Sequence, residues 1–285
     1  MSTFSKVLLA TDFSPQSGRL AECLFSICPD TETEVVLAHV LEGDDDADPD
    51  GSGLKKVQQR LEALQKELEQ SGYEHVSVAV PRGEIHEAIL GESEAERAEL
   101  LLVASHGKGF FRRTLLGSTT CDLARAADRP LLISKLGDEG VDLLSKVMLP
   151  TDFSKKSLEA LNVIRALREY VGEIIFLHVI ERSRSKQDYK QMSANAHMFL
   201  KELVDEMKIF GIEADYRVCR GVASKKIGEL CEKEQISLLM MSKNGAAIKD
   251  GMGIGSTTEN VVLNVDCSTL ILPAEEVGEE EQFAD

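Results

Sequence analysis

Positive charge is scarce in this sequence. Its 285 residues hold 32 Lys and Arg against 49 Asp and Glu, a formal net charge of −17, and a surface of that sign repels nucleic acid phosphates and anionic lipid. No nucleic-acid partner is expected. Apolar runs are short as well: none approaches the ~18 uninterrupted residues of a membrane span, and the N-terminal MSTFSKVLLATD lacks the apolar core of a secretory signal. No membrane partner is expected, and the chain reads as soluble and cytoplasmic. Six cysteines, Cys23, Cys28, Cys121, Cys219, Cys231 and Cys267, form no CxxC pair, so metal-ligand spacing is missing and a disulfide framework is not expected in so long a chain. They read as small core residues. GxxxxGK[ST] is absent too, which excludes a P-loop.

What is present is a duplication. KVLLATDFSPQS begins at Lys6 and KVMLPTDFSKKS at Lys146; the run Leu37 to Glu42 returns as Leu177 to Glu181, Gly117-Ser118-Thr119-Thr120 as Gly255-Ser256-Thr257-Thr258, and Asp128 as Asp266. Matching segments keep one order, so the chain is a tandem repeat of one domain, expected at 1–136 and 145–274 with a joint near Lys135 to Ser145. The acid excess concentrates at 43–53 and 274–285, which carry no basic residue; these read as a solvated loop and, over 275–285, an acidic tail.

Within each half, short apolar runs alternate with helical spacing. In the first, Val7 to Ala10, Val35 to Val40, Val76 to Val80, Leu100 to Ala104 and Leu131 to Ser134 read as strands. Ser14 to Cys28, Leu54 to Gly72, Gly83 to Ser93 and Ser118 to Ala127 read as helices, the second on Leu54, Val57, Leu61, Leu64 and Leu68 with Gly72 as its stop. Near-continuous apolar strands between helices imply a parallel sheet covered on both faces. The expected fold is therefore α/β: two doubly wound three-layer (α/β/α) domains, each on a five-stranded parallel sheet.

Ligands of open parallel sheets bind beyond the carboxyl ends of the strands, and three features converge on that edge. Asp12 and Asp152 end the first strand of each half, where a carboxylate accepts hydrogen bonds from ribose hydroxyls or a base amine; an N-cap, by the Asp or by Ser14 and Ser154, suits the same positions. After strand four, Gly107 and Gly245 are each followed by nine residues and then Gly117-Ser118-Thr119 or Gly255-Ser256-Thr257. Free N–H groups at a helix N-terminus favour a phosphate, and a turn closed by a Ser N-cap is the bland alternative. Counter-charges come from Lys108, Arg112 and Arg113 in the first loop and from Lys243 and Lys249 in the second. His106 sits in the first loop and Asn244 takes its place in the second, so shared acid/base chemistry is not expected there. His39 and His178 lack a companion nucleophile and read as core histidines.

A strand ending in Thr-Asp-Phe-Ser, a second ending in His-Val, and Ser-His-Gly followed by nine residues and Gly-Ser resemble the universal stress protein family, as a tandem pair over residues 1 to about 274. The resemblance implies the adenine-nucleotide alpha-hydrolase-like sandwich. It also implies an internal pseudo-dimer around Leu131 to Ser134 and Leu270 to Leu272, with further homodimerisation open. Nucleotide-binding members carry Gly-x-x-Gly, nine residues, then Gly-(Ser/Thr). By that likeness Thr11, Asp12, Thr151 and Asp152 contact adenosine, Val40 and Val179 the adenine, and Gly107, Gly117, Ser118, Gly245, Gly255 and Ser256 the phosphates. The first glycine of the motif is replaced by Ala104 and Ser242. If that position requires positive φ the replacement costs about 1 kcal/mol; if it requires only small volume, both fit.

The expected function is a stress-response sensor or regulatory module that binds ATP, ADP or AMP, with or without magnesium, and acts on an unidentified regulatory protein. The alternative is a nucleotide-free interaction scaffold. Slow ATP hydrolysis or self-phosphorylation is the most enzymatic reading, no general base is identifiable, and no catalytic residue is assigned.

Overall fold

The structure, a computed structural model, describes residues 3–42, 51–105, 116–135, 142–245 and 253–273. His106, Gly107, Lys108, Arg112, Arg113, Lys249 and both acidic stretches but for 51–53 lie outside them.

Half one comprises β1 (Lys6–Ala10), α1 (Leu20–Ile27), β2 (Glu34–Ala38), α2 (Ser52–Gln70), β3 (Val76–Ala79), α3 (Ile85–Ala95), β4 (Leu100–Ala104), α4 (Ser118–Ala126) and β5 (Leu131–Ser134). Half two comprises β6 (Lys146–Pro150), α5 (Lys155–Leu158), α6 (Ala160–Ala166), β7 (Glu173–Ile180), α7 (Lys186–Ile209), β8 (Glu213–Arg220), α8 (Ala223–Lys233), β9 (Leu238–Ser242), α9 (Ser256–Asn264) and β10 (Ser268–Leu272). All ten strands join one sheet in the order β3-β2-β1-β4-β5-β10-β9-β6-β7-β8. Pairing is parallel within each half. The halves meet through the antiparallel pair β5–β10, with Ile133 opposite Thr269 and Leu131 opposite Ile271. The pseudo-dimer expected around Leu131 to Ser134 is thus a continuous sheet.

Both faces of the sheet are buried, which explains the unbroken apolar strands. Val7 and Leu9 of β1 pack with Leu20 and Leu24 of α1 and Leu61 and Leu68 of α2, whereas Leu8 between them packs with Ile89 of α3 and Leu123 of α4. In half two, Met148 of β6 likewise faces Ile227 and Leu230 of α8. Val262 of α9 and Ile271 of β10 belong to the half-one cluster, so the core crosses the seam. Among the described residues no helix is long and apolar enough to cross a membrane.

Several expected boundaries move by one or more residues, three of them for a visible reason. The helix expected over Ser14 to Cys28 begins as a 3-10 turn at Ser17–Arg19 and becomes α-helical only at Leu20. The hydroxyls there compete for the backbone: Ser14 Oγ accepts from Ser17 N at 3.2 Å, and Ser17 Oγ donates to Ser14 O at 3.0 Å. The helix expected from Gly83 starts at Ile85, because Glu84 folds its carboxylate over the amides of His86 and Glu87 (3.1 and 3.3 Å). The second strand stops at Ala38 rather than Val40, since its neighbour β3 is four residues long; β7 runs on through His178 and Val179 because the eight-residue β8 pairs with it throughout.

Candidate functional site

Strand order reverses beside β1 and β6, and at their carboxyl ends the chain makes the same turn twice. Thr11 Oγ1 accepts from Phe13 N (3.0 Å) and Asp12 Oδ1 from Ser14 N (2.9 Å); Thr151 and Asp152 repeat this with Phe153 N (2.9 Å) and Ser154 N (3.0 Å). Phe13 and Phe153 are held at φ 58° and 64°, a left-handed conformation costing ~1–3 kcal/mol for a side chain of this size. The surroundings over-determine it. Each ring packs on a histidine, Phe13 on His39 and Phe153 on His178, with centroids 4.5 Å apart in both. His39 Nδ1 stands 2.6 Å from Thr11 O and His178 Nδ1 2.8 Å from Thr151 O. A carbonyl only accepts, so each Nδ1 carries the hydrogen. The two histidines are clamps that fix the Asp turn, and they also line the cavities described next.

Above each turn lies a cavity, about 640 Å³ in half one and 340 Å³ in half two. Thr11, Asp12, Val40, Ala104, Gly117, Ser118 and Thr119 line the first; Thr151, Asp152, Val179, Ser242, Gly245, Gly255, Ser256 and Thr257 line the second. Every described residue expected at the sites is therefore gathered there except Asn244 and Lys243. Asn244 is buried at 4% exposure, does not line the cavity, and its Oδ1 has no hydrogen-bond partner among the described residues.

The ambiguity over the caps is resolved by the bonds. Ser154 caps α5 by accepting from Ser157 N, while Asp152 accepts from Ser154 N within the tight turn and from Ser154 Oγ at 2.5 Å. The Thr11 and Thr151 hydroxyls are engaged with Ser17 and Ser157 (3.0 and 2.8 Å), which makes them supports. Helices α4 and α9 begin on Gly117 and Gly255 with no side-chain cap bond, so the Ser N-cap alternative does not hold. The first turns of α4 and α9 line the cavities with no side-chain cap among the described residues, an arrangement that leaves backbone N–H groups for an anion. Thr120 and Thr258 anchor these helices by donating to Ala104 O and Ser242 O, both at 3.0 Å.

Ala104 and Ser242 are the last residues of β4 and β9, and neither has positive φ. The position demands small volume, not a left-handed backbone, so neither replacement is strained. Gly245 is a case of close approach: a Cβ there would stand 3.0 Å from Asp152 Oδ2. Lys243, expected as a counter-charge for phosphate, instead donates to Ala127 O at 2.7 Å at the end of α4, because the alternation of β9 turns it away from the cavity.

Sequence reasoning missed the apolar wall and one brace. Ile85 and Ile89 on α3, and Ala223 and Ile227 on α8, line the cavities one helical turn apart; that spacing is visible in the sequence but marks any core-facing helix. Glu181 Oε1 accepts from Ala223 N at 2.7 Å, bridging β7 to α8 across the second mouth. In half one α3 is capped by its own Glu84, and Glu42 lies exposed at the wider mouth.

The fold and its edge define a doubled α/β sandwich with an apolar-walled cavity, lined by the start of an uncapped helix, at each switch point. The profile of the Universal stress protein family matches residues 3–135 and 144–273, and the chain belongs to that family. It is 24% identical over 154 residues to universal stress protein MJ0531 of Methanocaldococcus jannaschii, covering 50% of this chain and 89% of that one, and 26% identical over 155 residues to MJ0577 of the same organism, covering 46% and 95%. Each relative thus corresponds to about half of this chain. A universal stress protein from Archaeoglobus fulgidus shares the fold along both halves, with a TM-score of 0.72, 23% identity, and coverage of 95% of this chain and 98% of that one.

Proposed function

We propose that the chain binds an adenine nucleotide, ATP, ADP or AMP, in the cavity of one or both halves, 1–136 and 145–274, and serves as a stress-response sensor or regulatory module. The observation that carries this reading is the repeated pairing of a turn-held carboxylate, Asp12 or Asp152, with an uncapped helix N-terminus at Gly117-Ser118 or Gly255-Ser256, across an apolar wall. The carboxylate suits ribose hydroxyls or a base amine, the helix terminus suits phosphate, and the wall suits the base. Where magnesium accompanies the nucleotide it would offset phosphate charge.

Half one binds phosphates more tightly. Its loop carries Lys108, Arg112 and Arg113, whereas Lys243 of half two is engaged elsewhere. The test is isothermal titration of ATP, ADP and AMP, with and without magnesium, into nucleotide-stripped full-length chain, alongside Asp12→Ala and Asp152→Ala. Stoichiometry of one or two, with each substitution abolishing or weakening its own site, supports the sensor reading. Silence from all three nucleotides in folded protein overturns it and leaves the nucleotide-free scaffold.

A further inference from the structure

Behind the second cavity, α8 crosses the turn between α9 and β10. In half one the matching crossing is tied by Arg129, whose guanidinium donates to Ser93 O at 2.8 Å and Ala98 O at 3.1 Å. The offset of 138 that matches Gly117 to Gly255 and Asp128 to Asp266 also matches Ser93 to Cys231 and Arg129 to Cys267. Half two lacks the arginine tie and holds two thiols at the same crossing. Cys231 is 5% exposed within the α8 cluster, Cys267 packs half-buried against that same cluster, and both thiols are free. The Lys135 ammonium is fixed by Val262 O (2.7 Å) and Val265 O (2.6 Å), and its backbone N–H donates to Ser268 Oγ (3.0 Å), so Lys135 brackets Cys267 on both sides in sequence.

We propose that Cys231 and Cys267 form a peroxide-oxidisable dithiol, a modification site confined to half two, whose disulfide pins α8 to the α9–β10 turn. The electrostatics agree with the geometry. The hydrogen bond from Cys231 and the charge of Lys135 hold the Cys267 thiol below its ordinary value, whereas burial pushes Cys23 up to about 11 and raises Cys28 and Cys121. The Cys267 thiolate attacks one oxygen of hydrogen peroxide, the O–O bond breaks, and sulfenic acid and hydroxide result. The Cys231 sulfur then attacks the Cys267 sulfur, the S–O bond breaks, and the Cys231 proton leaves with the hydroxyl as water. Two thiols are oxidised to one disulfide while peroxide is reduced to two waters. The new bond joins the helix carrying Ala223 and Ile227 to the end of the helix carrying Ser256 and Thr257, the two elements that enclose the second cavity on one face. This proposal does not depend on which ligand, if any, the cavity takes.

The test treats full-length protein with increasing hydrogen peroxide, alkylates the remaining thiols and identifies the peptides by mass spectrometry. The expected result is a Cys231–Cys267 crosslink within one chain, with alkylation of both lost together and at a lower peroxide dose than that of Cys23. Cys231→Ser should let a Cys267 sulfenic acid accumulate, trapped by a 1,3-diketone reagent, and Cys267→Ser should leave Cys231 alkylatable at the same dose. Oxidation of Cys267 to sulfinic acid in the unaltered chain while Cys231 stays alkylatable overturns the proposal. So does equal loss of all six thiols, or a crosslink between chains.

Discussion

Gly245→Ala isolates the close approach at the second site. The added Cβ would stand 3.0 Å from Asp152 Oδ2, a few tenths of an ångström inside ordinary contact, and the backbone there is not left-handed, so the carboxylate is what must yield. Its Oδ1 is held by Ser154 N at 3.0 Å and Ser154 Oγ at 2.5 Å. Turning it away forfeits one charge-assisted bond, about 1.5–3 kcal/mol, and the exposure of Asp152 places the loss near the lower figure. Against that, alanine restricts the unfolded chain and returns about 0.4–1 kcal/mol. The net destabilisation is about 1 kcal/mol, to be read from the urea midpoint of the full chain. A double-mutant cycle separates the cause: in an Asp152→Ala background, Gly245→Ala should be neutral or stabilising, with a coupling of about 1.5 kcal/mol. Nucleotide titration supplies a second reading, with half-two affinity reduced about tenfold and half-one affinity unchanged. Equal destabilisation in both backgrounds would refute the contact itself, whereas the expected coupling with unaltered nucleotide affinity would refute only the placement of the ligand beside Asp152.

Other outcomes follow from the same geometry. At Gly172 a Cβ would meet Ser145 O at 2.5 Å, whereas at Gly91, within α3, it would meet nothing within 4 Å; Gly172→Ala should destabilise by roughly 1–3 kcal/mol and Gly91→Ala should stabilise by about 0.5–1 kcal/mol, opposite shifts in one thermal scan. Ser154→Ala removes the α5 cap and should cost about 1 kcal/mol, with little change at Cys231 or Cys267 in alkylation rate. Arg217 holds the carboxyls of Asp215 and Glu234 below their ordinary 3.8 and 4.5. Because their folded values are depressed, the stability they contribute is complete above those ordinary values and is lost as pH falls through the folded ones; Arg217→Gln should flatten that acid limb of a stability-versus-pH curve.

Much of the fold was legible because apolar strands with both faces buried leave unbroken runs such as Val7 to Leu9, and because the duplication lets each half check the other. Element starts were less legible. The Thr11, Ser14 and Ser17 hydroxyls form a network that delays α1 to Leu20, and no local pattern distinguishes that network from an ordinary cap. The candidate site was legible where chemistry repeats in both halves, as with Asp12 and Asp152 or Gly117 and Gly255. It was illegible where a side chain's direction decides its role. Lys243 is of the residue type a phosphate ligand should be, yet strand alternation sends it to Ala127. The histidines are clamps whose purpose emerges only with the positive φ of Phe13 and Phe153.

The seam between the halves determines how any of this is to be measured. Lys135 of half one satisfies Val262 O and Val265 O at the carboxyl end of α9, and Lys243 of half two satisfies Ala127 O at the end of α4. Each lysine does for the other half's helix what a C-terminal cap does, supplying donors to carbonyls that the helix leaves unpaired and a cation to the negative end of its dipole. Burial holds both ammonium groups below their ordinary 10.5, so their attachment depends on those carbonyls staying in place. Cutting the chain would expose β5 and β10 as bare apolar edges and strand both lysines at once. Lys135→Met in the full chain, by contrast, removes one anchor and keeps its stem, and should cost roughly 2 kcal/mol as the two carbonyls lose a charged donor. Circular dichroism during urea unfolding reads that loss, and a single transition moving as one would show that the seam couples the halves. Two separated transitions, only one of them shifted, would show instead that each half folds alone and that the lysines merely decorate a contact.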